Sequence, residues 1–246
     1  MPDVPVETLL DAPVWAALTG VHAGLAVGAG AGRRYPEDVS PFGALADAGD
    51  RAAWADLAAA TGPGAEVVLP ALAAAPPPGF TVVSALPGVQ LVATGAFASR
   101  PGGDVPGLVE LGADDVDDAL DLVARTRPGP FARRTRLMGR YLGVREDGRL
   151  LAMAGERLRL GAATEISAVC TDPSARGRGL ATTLLRAVAH GIRERGELPF
   201  LHAAAHNTGA IGLYEHLGFR LRRTLDFVTV RTPDARDLTG DASGHR

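Results

Sequence analysis

The amino-acid sequence predicts an α+β (α/β) fold in which a mixed central sheet is flanked by helices. Short runs of β-branched and apolar residues alternate with longer amphipathic runs, and Pro, Gly and Asp separate them. From residue 106 to residue 232 the predicted order is β-α-α-β-β-β-α-β-α-β, which packs helices against one sheet. The chain has 246 residues, 46% of them apolar, which is enough to bury such a sheet.

The first 105 residues contain their own mixture of elements. APVWAALTG and DRAAWADLAAATG predict short helices, and AEVVLPA, FTVVSAL and VQLVATG predict three strands bounded by Pro and Gly. Residues 98–107, ASRPGGDVPG, have no periodicity and predict a domain boundary. We therefore expect one domain at 1–105, a second at 106–232, and a flexible tail at 233–246.

The sequence predicts the following elements in residues 106–232. LVELG is a strand, and ADDVDDALDLVART is a helix whose acidic residues suit a helix N-terminus. PFARRTRLMGR predicts another helix. YLGVRE and RLLAMAGERLRL flank the turn EDGR as a hairpin, and TEISAVCT is the next strand. A helix follows from Gly179 to Arg195, with leucines at helical spacing. PFLHAAAH is a strand, NTGAIGLYEHLG is a helix that ends at Gly218, and FRLRRTLDFVTVR is the last strand.

Composition and charge narrow the functional classes. The net charge of −3 gives no overall attraction to nucleic acid or to anionic membranes. Cys170 is the one cysteine, so the sequence excludes a disulfide within the chain and a zinc site built from cysteines. Because Cys170 lies in mid-strand, we expect a buried, inert thiol. No basic segment precedes an apolar run at the N-terminus, and no stretch approaches about 18 apolar residues. We expect a cytoplasmic protein without a signal peptide or membrane span.

Two Arg-Gly pairs, Arg176-Gly177 and Arg178-Gly179, stand between a strand and the long amphipathic helix. Helix N-termini present unpaired backbone N–H groups that bind phosphate, and glycines let the backbone approach an anion closely. A Walker A loop is excluded because the chain has no lysine. A dinucleotide fingerprint is excluded because Thr182 occupies the position of its third glycine. The segment therefore predicts a phosphate loop of another kind.

The segment from Arg176 to Ala181 resembles the [Q/R]-x-x-G-x-[G/A] signature of the GNAT acyltransferase superfamily. Residues 207–219, NTGAIGLYEHLGF, are similar to that family's N-x-x-A-x-x-x-Y-x-x-x-G-F element. Both motifs occur in the family's order, within residues 106–232. Within the superfamily, the chain looks most like the C-terminal domain of glycine N-acyltransferase-like proteins. In those proteins a degenerate GNAT-like half comes first, and residues 1–105 would be that half.

The resemblance implies the GNAT fold, and acetyl-CoA or another acyl-CoA as co-substrate, with no metal. The backbone N–H groups of 178–181 would hold the pyrophosphate, and the backbone of 169–171 would pair with the pantetheine. Asn207 would contact the pantetheine arm. The residues expected to bind the co-substrate are Val169, Cys170, Thr171, Arg176, Gly177, Arg178, Gly179, Leu180, Ala181, Asn207, Ala210 and Tyr214.

Acyl transfer to an amine needs a neutral amine, a polarised thioester carbonyl and a proton for the leaving thiolate. The resemblance gives the role of proton donor to Tyr214, which shares a helix face with Asn207, seven residues earlier. As the catalytic base we expect Glu165, at the start of the strand that leads into the phosphate loop. His202, His206 and water are the alternatives.

The resulting prediction is an acyl-CoA-dependent N-acyltransferase. It would move an acetyl group to the primary amine of a small molecule or amino acid by direct transfer in a ternary complex. Two alternatives stay open: a protein or peptide N-acetyltransferase, and a non-catalytic acyl-CoA-binding sensor. The basic segment RTRPGPFARRTR, residues 125–136, could favour a carboxylate-bearing acceptor. We expect a small-molecule partner, with no nucleic acid and no membrane. The oligomeric state is open, a homodimer included.

Overall fold

The computed structural model describes residues 4–102 and 105–235, which form six α-helices and ten strands. The helices are α1 Val6–Asp11, α2 Pro13–Thr19, α3 Arg51–Thr61, α4 Val116–Thr126, α5 Leu180–Glu194 and α6 Thr208–Leu217. The strands are β1 Gly32–Arg34, β2 Gly43–Leu45, β3 Glu66–Pro70, β4 Thr81–Ala93, β5 Leu108–Glu110, β6 Tyr141–Glu146, β7 Arg149–Arg159, β8 Ala163–Thr171, β9 Leu198–Ala204 and β10 Phe219–Arg231.

Eight of these strands form one mixed sheet in the order β3-β10-β4-β9-β8-β7-β6-β5. Neighbours are antiparallel except β8 and β9, which are parallel and are joined through α5. β1 and β2 form a separate antiparallel pair. The predicted fold class, a mixed sheet flanked by helices, is confirmed.

Strands from both sides of residue 105 belong to the main sheet. β4 lies between β9 and β10, and β3 lies outside β10. The segment 98–107 therefore connects two parts of one sheet and does not separate two sheets. The assignment of residues 1–105 to a degenerate copy of the fold stays a prediction. Of the predicted tail, 233–246, the part after Ala235 lies outside the described residues.

Two local predictions were wrong. FTVVSAL and VQLVATG form the single strand β4, which continues through Pro87. A proline is tolerated there because β9 pairs with β4 from Gly88 onward, so Pro87 has a ladder partner on one side, β10. PFARRTRLMGR contains a short 3₁₀ turn, Thr135–Met138, in place of a helix. The Thr135 hydroxyl donates to the Val39 carbonyl and accepts the Ala132 N–H, which ties this segment to the N-terminal part of the chain.

The largest core cluster packs α5 against the sheet. Leu184, Leu185 and Ile192 of α5 are fully buried, as their helical spacing predicts. Burial of each such side chain stabilises the fold by about 1.5–3 kcal/mol. This packing fixes the position of the helix N-terminus, at which the Arg-Gly pairs lie.

Candidate active site

A cleft opens in the sheet where β8 and β9 diverge. Their parallel pairing runs from Ala163 to Ile166 of β8 and then stops. Within β8, Ala168 has a φ of +54°, and the pairing with β7 jumps from Ser167 to Cys170. Such a bulge bends its strand, while β9 stays paired with β4 as far as Ala204. The carboxyl ends of β8 and β9 therefore border an open space.

A cavity of about 520 Å³, the co-substrate cavity, lies between this cleft and the N-terminus of α5. Eleven of the twelve residues expected to bind the co-substrate line it: Val169, Cys170, Thr171, Arg176, Gly177, Gly179, Leu180, Ala181, Asn207, Ala210 and Tyr214. The exception is Arg178, whose guanidinium donates to both carboxylate oxygens of Glu146 at 3.0 Å. The structure thus brings together two motifs that are separated in sequence.

The glycines at this helix start adopt a backbone that side chains disfavour. Gly177 and Gly179 have φ values of +77° and +76°, and a Cβ at either would meet no described atom within 4 Å. In α5 the Thr183 N–H donates to the Gly179 carbonyl. The N–H groups of residues 180–182 precede that bond and have no α-helical acceptor. Together with the helix dipole, these donors favour a phosphate group.

A second cavity of about 460 Å³, the acceptor cavity, adjoins the first. Six residues line both: Arg127, Pro128, Val169, Asn207, Ala210 and Tyr214. The N-terminal part of the chain contributes Phe42, Val68, Ser84 and Leu86 to the acceptor cavity. The two spaces therefore meet beside Tyr214, and both halves of the chain build the second one.

Tyr214 is buried at this junction and is 8% exposed. Its ring packs near Phe219, with 6.1 Å between the ring centroids. Burial, with a smaller contribution from Cys170, raises the pKa of Tyr214 to about 12. The phenol therefore stays protonated at neutral pH and is able to donate a proton or a hydrogen bond.

Glu165 is fully buried and is not a lining residue of either cavity. Arg157 donates to its carboxylate through Nε at 2.8 Å and Nη2 at 2.6 Å, and His202 Nδ1 lies 2.7 Å away. Burial raises the pKa of Glu165, but the Arg157 guanidinium and the His202 ring outweigh it and lower the pKa to about 2. Both carboxylate oxygens are thus occupied, and the group is a weak base.

His202 has both ring nitrogens engaged. The side-chain oxygen of Gln90, Oε1, accepts a hydrogen bond from Arg222. The side-chain nitrogen of Gln90 therefore lies on the opposite side of the amide, where it donates to the Leu10 carbonyl and lies 3.1 Å from His202 Nε2. Nε2 therefore accepts a hydrogen bond, and the ring proton lies on Nδ1, toward Glu165. The ring lines the acceptor cavity but presents no free nitrogen to it.

His206 is exposed and also lines the acceptor cavity. Among the described residues its ring has no hydrogen-bond partner, unlike the ring of His202. Cys170 is buried as predicted, and burial raises the pKa of its thiol. Over the described ranges no cluster of three or more His, Cys, Asp and Glu residues could hold a metal ion. The helices in these ranges are too short or too polar to span a membrane.

The sequence prediction missed Arg157 and Gln90. Arg157 follows Glu156 near the end of RLLAMAGERLRL, after a run of apolar residues, and charges inside a buried strand are a signal of a buried ion pair or a site. Gln90 has no such signal, because its partners lie at residues 10, 202 and 222. Tertiary structure alone brings these positions together.

The chain is similar in sequence and fold to known proteins. The family model of FR47-like proteins matches residues 141–228, which include both motifs. A protein of Novosphingobium aromaticivorans DSM 12444, described as an acetyltransferase of the GNAT family, is 43% identical; the match covers 91% of this chain and 98% of that one, with a TM-score of 0.80. A GCN5-related N-acetyltransferase of Kribbella flavida is 20% identical over 92% of this chain and 96% of its own, with a TM-score of 0.61, which shows the fold. No curated protein matches.

The fold and the sequence match place the chain in a class of proteins described as acetyltransferases. The chain belongs to the GNAT family. The closer relationship to glycine N-acyltransferase-like proteins stays a prediction.

Proposed function

We propose that the protein transfers the acetyl group of acetyl-CoA to the primary amine of a small molecule or amino acid, directly and in a ternary complex. One observation carries this proposal: the co-substrate cavity and the acceptor cavity meet at Tyr214. A thioester held in the first and an amine held in the second can therefore react without a covalent enzyme intermediate.

The donors of the co-substrate cavity fit acetyl-CoA. The helix N-terminus at residues 180–182 suits the pyrophosphate, and Arg176 on the same wall adds positive charge. Because β9 leaves β8 after Ile166, the edge of β8 that faces the cleft is free to pair with the amides of the pantetheine. Asn207 caps α6 by accepting the Ala210 N–H at 3.3 Å, which leaves its amide N–H₂ for the same arm.

The chemistry follows from the groups at the junction. The amine nitrogen forms a bond to the thioester carbonyl carbon, the C–S bond breaks, and the sulfur leaves as a thiolate. Tyr214 donates its phenolic proton to that sulfur, and the phenolate then regains a proton from water. The proton that the amine loses must pass to a base in the acceptor cavity.

We assign that base role to His206 and a positioning role to Glu165. His206 lines the acceptor cavity, and its ring is free of described hydrogen-bond partners. Glu165 and His202 are buried and bonded to each other at 2.7 Å. Their bonds hold Arg157 and the β8–β9 pair in place below the opening of the cleft. His206 accepts the proton directly or through water.

Catalysis is favoured over a non-catalytic sensor by the presence of a second cavity next to the proton donor. Acetyl-CoA binding alone would need only the first. A peptide or protein acceptor is the other alternative, and the same assay distinguishes it.

Thiol release from acetyl-CoA, measured over amino acids, polyamines, aminoglycosides and short peptides, tests the proposal. Tyr214→Phe should lower kcat by about a hundredfold at unchanged acetyl-CoA affinity. Tyr141→Phe is a matched control: Tyr141 is also buried, lines neither cavity, and its hydroxyl has no partner among the described residues. Acetyl-CoA binding without release for any acceptor would favour the sensor, and absence of binding would overturn both.

A further inference from the structure

The acceptor cavity has a one-sided charge distribution. Its described lining residues include two arginines, Arg127 and Arg157, and no Asp or Glu. A second ammonium group on the acceptor would find no carboxylate on this wall. Polyamines and other polycationic acceptors are therefore poorly matched, whereas an anionic group is well matched.

Arg157, which lines this cavity, has a hydrogen-bond donor that no protein group uses. Its Nε and Nη2 donate to Glu165, and its Cζ lies 4.8 Å from the centroid of the Phe42 ring. The third nitrogen, Nη1, has no hydrogen-bond partner among the described residues. The side chain as a whole is 8% exposed, and its bonds to Glu165 hold the guanidinium in one orientation. A buried guanidinium edge that protein groups leave free matches a planar carboxylate.

Arg127 supplies charge that no protein group balances. It follows α4 with a φ of +50° and lines both cavities. In the same basic segment, Arg125, Arg133 and Arg134 are ion-paired with aspartates. Arg127 has no ion-pair partner in the described part of the chain. Because the charge of Arg157 is already balanced by its carboxylate partner, Arg127 provides the net attraction for an anion.

Part of the remaining wall is apolar. Phe42 and Phe227 are stacked, with ring centroids 6.1 Å apart and planes inclined by 20°. Val68 and Leu86 line the same cavity, and Leu86 is 44% exposed. A small hydrophilic acceptor would leave these groups in contact with water, whereas a large apolar substituent would cover them.

We propose that the acceptor is an amine that also carries a carboxylate and a large apolar group, as an apolar α-amino acid does. The carboxylate binds the free edge of Arg157 under the attraction of Arg127, and the apolar side chain packs on the Phe42–Phe227 pair. The inference rests on the proposed N-acetyl transfer and names the acceptor class of that same site.

Three matched acceptors test it without altering the protein: phenylalanine, phenylalaninamide and phenethylamine. Phenylalanine should have a kcat/KM at least about tenfold higher than either analogue, because only it offers a carboxylate for charge-assisted hydrogen bonds. The amine of phenylalaninamide loses its proton more readily than that of phenylalanine, so a preference for phenylalanine cannot arise from amine protonation. Alanine, which keeps the carboxylate but lacks the ring, should also react more slowly than phenylalanine.

A pair of variants locates the effect. In Arg127→Gln the ratio of kcat/KM between phenylalanine and phenylalaninamide should fall severalfold. In Arg136→Gln it should stay as in the wild type, because Arg136 belongs to the same basic segment but lines neither cavity. Thiol release that is equal for phenylalanine and its amide, or greatest for polyamines, would overturn the acceptor class and leave acetyl transfer intact. Absence of release with every acceptor would overturn the proposed function itself.

Discussion

The substitution Gly179→Ala tests whether the N-terminus of α5 holds the pyrophosphate of acetyl-CoA. Gly179 has a φ of +76°, and an added Cβ would meet no described atom within 4 Å. The substitution therefore creates no clash within the protein. Its cost to the free protein is that of a left-handed backbone in an L-residue, about 1–2 kcal/mol of unfolding free energy.

Gly196 provides a matched control at the other end of the same helix. Its φ is +74°, and a Cβ there also meets no described atom within 4 Å. Gly196→Ala should lose the same unfolding free energy in denaturant titrations. Only Gly179→Ala places a methyl group where a phosphate would approach the backbone. We expect the Kd for acetyl-CoA to rise about tenfold in that variant, which corresponds to about 1.4 kcal/mol, and to stay unchanged in Gly196→Ala.

Isothermal titration calorimetry with acetyl-CoA, at a temperature at which both variants are folded, measures the difference. The stability loss shared by both variants removes backbone strain as an explanation of the affinity change. If the two variants bind acetyl-CoA equally well, the helix N-terminus is not the pyrophosphate site, and the assignment of the co-substrate cavity is refuted.

Three further predictions concern titratable groups. Burial lowers the pKa of His22 from 6.5 to about 4. As pH falls from about 6.5 to about 4, the imidazole is protonated in the unfolded chain but not in the folded one, so about 3 kcal/mol of the unfolding free energy is lost. Denaturant titrations should show this loss in the control His216→Gln, at an exposed position, but not in His22→Gln. Glu165→Gln leaves Arg157 unpaired and should lower the unfolding free energy by about 3–5 kcal/mol while kcat/KM keeps its pH profile; loss of the acidic limb would instead identify Glu165 as the base. Because the pKa of Tyr214 is raised to about 12, its phenol keeps its proton at pH 10. We therefore expect that any fall of kcat/KM near pH 10 in the wild type also occurs in Tyr214→Phe.

Local patterns in the sequence were sufficient for much of the fold. The spacing of Leu184, Leu185 and Ile192 predicts the buried face of α5, and Gly218, with a φ of +103°, ends α6 as predicted. Periodicity and end signals such as these are local properties, so a sequence contains them directly. The resemblance of two motifs to the GNAT family, and not a local pattern, supplied the twelve expected co-substrate residues, of which eleven line one cavity.

Contacts between distant segments were not predictable in this way. The insertion of β4 between β9 and β10 has no local signal, since a strand sequence does not specify its neighbours. Glu165 is an example. Its position at the start of a strand predicts an accessible carboxylate, but the neighbouring strands bury it. Its guanidinium and imidazole partners occupy both of its oxygens. The residue type and its position suggested a base, whereas its tertiary environment supports the positioning role that we propose for it.

The placement of β4 also gives the N-terminal part of the chain a role in the site. Through Gln90 it binds His202, and through Ser84 and Leu86 it lines the acceptor cavity beside Phe42. The residues that line the co-substrate cavity all follow residue 125. The N-terminal part of the chain therefore contributes to the acceptor cavity and not to the co-substrate cavity. Changes at Phe42 or Leu86 should alter the choice of acceptor while the affinity for acetyl-CoA stays the same, because these side chains contact the second cavity alone.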